Sequence, residues 1–491
     1  MIDRPLTLGA VGHVLRSAGL LREMRGPGDV AVLGVSQDSR SVRPGDLFLA
    51  WKGTAVDAHD HVGSAERAGA VAAVVERPVD AELPQLVVSD GRSAGALAAQ
   101  AVMGDPSRRL FLVGITGTNG KTTTAMLVRH LLSARGECAV VGTLGLVDAG
   151  GVRPGTEGLT TPGPVQLAAW LRQLADEGVR TVAMEASSHA LEQRRLDGVH
   201  FAAGVFTNLT QDHLDYHGDL ASYLAAKARL VSLVDLGGWL VVNRDDRAWD
   251  ALDCAGRHVR TFAVEAAADV RAEDVVSDAR GSRFTLVLGG ERAAVELPLL
   301  GAYNVENALA AAAVASVAGM SAGEIARALA TVPQVTGRLE VVLQEPFAVL
   351  IDFAHTPDAL DGALGTLKPL TRGRLIVLFG AGGDRDRTKR RPMAETVARF
   401  ADLVVLTSDN PRTEDPELIL DDLAEGLRGL ACARIADRRE AILHALSQAR
   451  AGDTVVLAGK GHETYQVVGR EKRPFDERAV VRECLAELGA A

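Results

Sequence analysis

Leu110-Phe111-Leu112-Val113-Gly114-Ile115-Thr116-Gly117-Thr118-Asn119-Gly120-Lys121-Thr122-Thr123 is the stretch on which the reading of this chain turns. An apolar run leads into a Gly-rich turn and then into a helical pattern with apolar residues at Met126, Leu127, Leu131 and Leu132. Strand, turn and helix in that order form a phosphate cradle, because N–H groups of the turn and of the helix N-terminus converge on anionic oxygens. Lys121 adds a point charge, and the Thr122 hydroxyl can ligate Mg²⁺. A strict G-x-x-x-x-G-K-[ST] spacing requires Gly at position 115. The chain has Ile115 there, and Gly114 sits one residue early. The expectation is a site for the phosphates of ATP or GTP. The blander alternative is a Gly-rich strand–helix turn with a stray lysine.

The 491 residues suggest about three domains at ~150 residues each. With 47% hydrophobic residues the chain can bury large cores. It carries 53 Lys and Arg against 63 Asp and Glu, a net charge of −10. That balance argues against a general nucleic-acid binder, since phosphate backbones reward basic surfaces. Cys138, Cys254, Cys432 and Cys484 are widely spaced with no C-x-x-C, which reads as free thiols in a reducing compartment. The first residues lack a signal-peptide pattern, and no run approaches ~18 apolar residues. A cytoplasmic protein with no membrane partner is expected.

Three stretches differ in pattern. Up to residue 105, short apolar segments at 30–33, 47–51, 70–75 and 86–88 are broken by Gly, Pro and Asp, as in a small α/β domain. From 106 to 335, strand candidates at 110–116, 139–141, 181–185, 203–207 and 239–243 alternate with helix candidates such as 164–177 and 302–318. That alternation predicts a parallel sheet with covered faces. Residues 262–300 are β-rich and are expected to form a local antiparallel insert. From 336 to 491, strands at 348–353, 374–380, 403–408 and 454–459 alternate with helices such as 440–449, a second doubly wound unit. The segment 333–337 reads as a hinge. The predicted class is α/β in three domains, 1–105, 106–335 and 336–491.

Glu185 ends the strand candidate 181–185, where a carboxylate faces the crevice in which parallel sheets bind ligands. Beside a phosphate loop it would hold Mg²⁺; otherwise it is a surface carboxylate. Residues 208–218 crowd Asn208, Asp212, His213, Asp215 and His217 just after a strand, which suits a metal or phosphate site around His213; solvated loop residues are the alternative. Lys227, on an Ala-rich helix, reads by itself as a snorkelling surface lysine. Gly380-Ala381-Gly382-Gly383 lacks the G-x-G-x-x-G spacing of a dinucleotide fingerprint.

Thr116 to Thr123, Met184-Glu185-Ala186-Ser187-Ser188-His189 and Thr207 to His217 together resemble the Mur ligases, the ATP-dependent amide ligases of peptidoglycan synthesis. Gly301 to Asn307, Gly337-Arg338-Leu339-Glu340 and Asp352 to Pro357 agree, so the resemblance covers nearly the whole chain in order. It implies a UDP-binding first domain, a P-loop second domain and a Rossmann-like third domain that binds an amino acid. ATP and Mg²⁺ are the implied cofactors, and a monomer is expected. The early Gly114 suits the family's variant of the loop. The implied ATP site comprises Gly114, Gly117, Thr118, Asn119, Gly120, Lys121, Thr122, Thr123, Asn304, Asn307, Arg338 and Asp352. Catalytic roles fall to Lys121, Glu185, His213 and Lys227. Thr122 and Glu185 would hold one Mg²⁺, and His213 and Lys227 a second, the lysine as the carbamate found in this family.

The resemblance also assigns the substrates. Ser39, Thr54, Ala55 and Val56 match positions around the uridine diphosphate. Thr160, Thr161, Ser187, Gln193 and Arg195 match positions holding the muramoyl dipeptide and its diphosphate. Leu159 departs from the polar amide of some members. Asp409-Asn410-Pro411-Arg412 looks like the selectivity motif of members that add diaminopimelate to UDP-N-acetylmuramoyl-L-alanyl-D-glutamate. Arg412 offers a planar fork to a carboxylate, and a lysine substrate would leave that charge unpaired. Arg390, Gly459 and Glu463 match the same pocket, Arg390 toward a carboxylate and Glu463 toward an ammonium. Relatives with other outcomes are a lysine-adding member and a folylpolyglutamate synthetase, whose loop reads G-K-G-S and which lacks the first domain. A non-catalytic nucleotide switch is the reading outside enzymes.

Overall fold

A computed structural model describes residues 6–53, 56–155, 158–427, 429–430 and 432–489. Three large sheets organise it, each drawn from one stretch of chain. The first has five strands in the order Leu21–Arg25, Gln85–Val88, Ala72–Val75, Asp46–Leu49 and Gly34–Ser36, with only Leu21–Arg25 antiparallel to its neighbour. The three middle strands are buried at every position, which is why they read as short apolar runs rather than alternating patterns.

An eleven-stranded sheet occupies the centre. Its parallel core runs Cys138–Gly142, Thr181–Glu185, Phe111–Thr116, Phe201–Phe206, Val234–Asn243 and His258–Ala263. Both edges are antiparallel. Gly145–Asp148 and Gly151–Arg153 fold back at one edge, and Val270–Asp278, Gly281–Leu288 and Glu291–Leu297 form a meander at the other. The β-rich stretch near 262–300 therefore extends the central sheet, because Val270–Asp278 pairs in parallel with His258–Ala263. Helix Ala302–Val317 is buried along most of its length. Its alanines leave little bulk, so it lies close against helix Lys121–Leu132 within one apolar cluster.

The third sheet has six strands, Glu340–Leu343, Ala348–Asp352, Thr454–Ala458, Leu375–Phe379, Leu403–Leu406 and Cys432–Arg434, parallel except for the first. Separate apolar clusters cover its two faces. In open sheets of this kind ligands bind beyond the C-terminal ends of the parallel strands. Glu185 and the Gly117–Gly120 turn occupy that edge of the central sheet, and Asp409 and Gly459 that edge of the third.

Candidate active site

The turn after strand Phe111–Thr116 needs its glycines. Gly117 has φ +150° and Gly120 φ +83°, a region side chains resist. Gly120 caps helix Lys121–Leu132 without a side-chain bond, so the N–H groups of its first turn are not occupied by a capping side chain. A second loop holds the first. The Thr118 N–H donates to Asn208 O at 2.7 Å, the Asn119 N–H to Asn208 Oδ1 at 2.8 Å, and Thr207 Oγ1 to Asn119 O at 2.8 Å. Lys121 Nζ folds back onto Gly117 O at 2.9 Å and Thr118 O at 2.7 Å. Desolvation lowers its proton affinity, and Glu185 and Asp212 oppose that. Thr122 and Thr123 are buried in the first helical turn.

Gly114 is placed differently from the loop glycines. It lies inside the strand, where a Cβ would fall 2.8 Å from Leu230 Cδ1 and 2.9 Å from Phe201 Cδ1. Its register partner is Gly204, where a Cβ would lie 2.9 Å from Val234 Cγ2. Gly114 is thus a packing position rather than a phosphate contact: the glycine pair lets helix Leu220–Leu233 settle onto the sheet.

Glu185 is buried at its strand end. Oε2 accepts from Thr122 Oγ1 and Thr143 Oγ1, both at 3.1 Å, and Oε1 accepts from the Thr143 N–H at 2.8 Å. A buried carboxylate bonded only to neutral donors, next to a threonine hydroxyl, is a hard-oxygen set that fits Mg²⁺. Arg338 Nη2 donates to Thr122 Oγ1 at 3.1 Å while its guanidinium lies 4.9 Å from the Phe353 ring centroid. The third sheet's unit therefore closes directly over the phosphate loop.

Lys227 is not a surface lysine. It is 1% exposed, with Nζ 2.6 Å from Gly117 O and 4.2 Å from the Tyr223 ring centroid. Burial depresses its proton affinity well below the usual lysine range, Lys121 adds to the depression and Asp212 opposes it. An ammonium cannot ligate a metal. A neutral amine is a poor ligand for a hard cation such as Mg²⁺, whereas a carbamate would offer oxygens, and the neutral amine is the form that reacts with CO₂. His213 has φ +53° and its Nε2 lies 3.4 Å from Asp212 Oδ2. Strain of this kind costs ~1–3 kcal/mol and gathers at working sites. Its ring stands 4.7 Å from His189, which lies 4.3 Å from Tyr216 and 5.4 Å from His217. Desolvation lowers all three imidazoles, His189 to about 4, so they are neutral at pH 7. Among the described residues no three His, Cys, Asp or Glu side chains converge as a ready metal cage. Mg²⁺ does not need one, since substrate phosphates and water complete its shell.

Asn304, Asn307 and Asp352 are buried near this centre and engaged with protein. Asn307 Nδ2 donates to Asn304 Oδ1 at 2.9 Å, Thr124 Oγ1 donates to Asn307 Oδ1 at 3.3 Å, and Asn304 Nδ2 donates to Leu300 O at 2.7 Å. Asp352 accepts the Leu339 N–H at 2.6 Å and the Ala354 N–H at 2.7 Å, which braces the turn carrying Arg338.

On the other side of Glu185, Thr161 Oγ1 lies 2.7 Å from Glu185 O and 3.0 Å from Ser187 Oγ. Arg195 Nη1 donates to Thr161 O at 3.0 Å and Nη2 to Gln193 Oε1 at 2.5 Å, and Gln193 Nε2 donates to the Tyr216 hydroxyl at 3.2 Å. Thr160 Oγ1 is 3.5 Å from Thr143 Oγ1. Leu159 lines a small crevice with Gly142, Gly145, Pro162 and Trp170. The first sheet's unit meets this edge: a Cβ on Gly163 would lie 3.2 Å from Gln37 Nε2, two residues from Ser39 in its turn. Val56 is exposed, and Thr54 and Ala55 lie outside the described residues.

The third unit brings Asn410, Arg412, Gly459 and Glu463 together. Asn410 Nδ2 donates to Glu463 Oε2 at 2.9 Å, and buried Lys460 Nζ donates to Glu463 Oε2 at 2.8 Å and Asn410 Oδ1 at 3.2 Å. Arg412 has φ +53°, and its Nη1 donates to Gly383 O at 2.8 Å. Gly383 N–H in turn donates to Asn410 O at 2.9 Å, locking the bend before Pro411. Asp409 Oδ2 is buried without a hydrogen-bond partner among the described residues, against Gly459, where a Cβ would come within 2.6 Å. Arg390 requires a correction. It is fully buried, and its arms already serve Glu414 at 2.9 Å and Asp422 at 2.8 Å, so it holds the loop and offers no fork to a ligand. Arg385 is the residue the motif reading missed. It is exposed, makes no ion pair with a described residue, and lowers the proton affinity of Arg412 after burial does. Its signal was the Gly382-Gly383 turn just before it, which brings it to Arg412.

Known proteins are similar to this chain across all three units. Residues 32–112 match the Mur ligase family catalytic domain, 115–315 the Mur ligase middle domain, and 337–461 the Mur ligase glutamate ligase domain. The UDP-N-acetylmuramoyl-L-alanyl-D-glutamate–2,6-diaminopimelate ligase of Gloeobacter violaceus is 44% identical over 94% of this chain and 95% of its own. The protein of that name from Solibacter usitatus is 43% identical over 98% of this chain and 99% of its own. A solved structure of a ligase of the same name superposes with TM-score 0.70 at 34% identity, covering 99% of this chain and 100% of that one. A phosphate loop, a buried carboxylate and a buried lysine meet at one junction, and the similarity runs unbroken through all three sheets: the chain belongs to the Mur ligase family.

Proposed function

We propose that the protein is an ATP-dependent amide ligase that joins diaminopimelate to the D-Glu side-chain carboxylate of UDP-N-acetylmuramoyl-L-alanyl-D-glutamate. The observation that carries this is the Arg338–Thr122 contact, which brings the unit bearing Asn410, Arg412 and Glu463 over the phosphate loop. A carboxylate resists attack by an amine until one of its oxygens becomes a leaving group. Transfer of the γ-phosphate to it gives an acyl phosphate; the amine then attacks the carbonyl carbon, phosphate departs and the amide remains. The protein's share is positioning and charge stabilisation. Lys121 swings from the Gly117 and Thr118 carbonyls to the β- and γ-phosphates, with loop N–H groups completing the cradle. Bound Mg²⁺ would neutralise phosphate charge. Thr122 and Glu185 would hold one ion, and His213 with carbamylated Lys227 a second. Asn304, Asn307, Arg338 and Asp352 are assigned to the adenosine end, so nucleotide binding and domain closure are coupled. Thr160, Thr161, Ser187, Gln193 and Arg195 present the dipeptide, and Ser39 with the 54–56 segment takes the uridine diphosphate.

In the amino-acid pocket, Glu463 and Asp409 face an ammonium, while Arg412 and Arg385 face the far carboxylate. Domain limits at 105/106 and 335/336, a monomeric state and a cytoplasmic location complete this reading. Among the described residues no helix is long and apolar enough to cross a membrane. Phosphate release with the UDP-linked dipeptide and either diaminopimelate or lysine, and with a folate acceptor and glutamate, separates this reading from its relatives. Turnover with diaminopimelate alone is expected; no turnover with any amine would leave a nucleotide switch.

A further inference from the structure

Asp409–Arg412 and Gly459–Glu463 follow strands that are not neighbours. Leu375–Phe379 lies between Leu403–Leu406 and Thr454–Ala458, so no sheet hydrogen bond sets the distance between the two segments. One buried guanidinium spans it. Arg438, the first residue of helix Arg438–Gln448, donates from Nη1 to Ser408 O at 3.1 Å and from Nη2 to Ala458 O at 3.0 Å. Ser408 and Ala458 are the residues immediately before the two segments. The third arm, Nε, donates to Glu477 Oε1 at 2.8 Å, and Nη2 lies 2.7 Å from the same oxygen. Both side chains are fully buried, and Glu477 Oε2 has no hydrogen-bond partner among the described residues.

Stability is a poor account of this pair. Burying both charges carries a desolvation cost that an apolar pair of similar volume avoids, and such replacements are often neutral or stabilising. The unpartnered Glu477 oxygen adds to that cost. A rigid planar fork does something an apolar pair cannot: it fixes the separation of two carbonyls. In front of it, Lys460, Asn410 and Glu463 are joined by hydrogen bonds whose lengths depend on that separation.

We propose that Arg438, oriented by Glu477, is a positioning residue for the amino-acid substrate, setting the spacing between the Asn410–Arg412 edge of the pocket and Glu463. It touches no substrate. It acts by holding the ammonium and carboxylate readers at the separation that an amino acid charged at its far end requires. This rests on the ligase reading above.

The test compares the full-length protein with Arg438→Lys and Glu477→Gln, measuring KM for diaminopimelate, ATP and the UDP-linked dipeptide, and the relative use of lysine. The expected result is a rise in the diaminopimelate KM of about tenfold or more, in line with the cost of a misplaced reading group. The other two KM values should stay within about twofold, and preference over lysine should fall. An unchanged diaminopimelate KM in either folded variant, or an equal rise in all three constants, overturns the proposal. Failure of both variants to fold assigns the pair to the core alone and also overturns it. Inactivity of the unaltered protein with diaminopimelate is a separate outcome, which sinks the ligase reading instead.

Discussion

Lys121 and Lys227 donate to the same acceptor, the carbonyl oxygen of Gly117, at 2.9 and 2.6 Å. Two ammonium groups on one carbonyl repel each other, and burial disfavours both charges. Lys227 yields more, since Lys121 has Glu185 and Asp212 to hold its charge while Lys227 has only Asp212 opposing its depression. The phosphate loop is thereby paired with an amine that holds its proton weakly.

Lys227→Ala should lose activity by roughly 10²-fold or more, the scale of removing a charge-stabilising group. Short carboxylates such as formate should restore part of it, because they supply the oxygens the carbamate would. In ¹³C-bicarbonate, the unaltered protein should show a carbamate carbon signal that the variant lacks. Full activity in the variant would contradict the role.

Glu185→Gln keeps the shape and the acceptor facing Thr143 but removes the charge. The Mg²⁺ concentration for half-maximal turnover should rise about tenfold or more, because hard cations select charged oxygen. A Mg²⁺ titration of phosphate release decides it. An unchanged midpoint would assign Glu185 to holding Thr122 and Thr143 alone.

Arg390 and Arg385 should separate cleanly. Arg390→Met leaves half-buried Glu414 and Asp422 without their buried partner, at a cost of ~1–3 kcal/mol, since Asp422 keeps Arg387, read as a lower urea midpoint. Arg385→Ala is a surface change, expected within about 0.5 kcal/mol of the parent in stability. It should raise the diaminopimelate KM instead. The reverse pattern would restore the sequence-based role of Arg390.

Arg412→Ala should raise the diaminopimelate KM by roughly ten- to a hundredfold, the value of about 1.5–3 kcal/mol for a hydrogen bond to a charged group. The ATP KM should hold, since on the proposed reading Arg412 would meet the far end of the amine, and it lies on the opposite unit from the phosphate loop. Equal loss of both affinities would count against the pocket.

These cases show what was legible in the chain. The phosphate turn and Asp409–Arg412 are local: their glycines, charges and bends lie within a few residues of one another, so pattern alone finds them. Lys227 looked like a surface lysine because its burial depends on Gly114 and Gly204, which belong to two other strands and admit its helix. Arg390 looked free because its partners, Glu414 and Asp422, are 24 and 32 residues away. Residues near 262–300 read as an insert because strand pattern does not reveal the edge it will join. Long-range partnership is what local pattern leaves out.

Glu306 yields the pH prediction. It lies on helix Ala302–Val317 between Asn304 and Asn307, and burial pushes its carboxyl from 4.5 up to about 7, with Asp245, Asp246 and Glu265 adding to the rise. Asp245 and Asp246 are held by backbone N–H groups at Val264 and Ala266 and at Leu209 and Ala248, so they cannot turn away. The native state therefore binds a proton that the unfolded chain has already released between about pH 4.5 and 7. Stability from this group is fully present below the unfolded value, falls as pH rises through that window and is flat above it. Glu306→Gln removes the penalty. Relative to the parent, the variant should gain roughly 3 kcal/mol at pH 8 and little near pH 4.5. Urea unfolding of both proteins across that range is the measurement. A difference independent of pH would mean that Glu306 is ionised in both states and that the neighbouring carboxylates do not act on it.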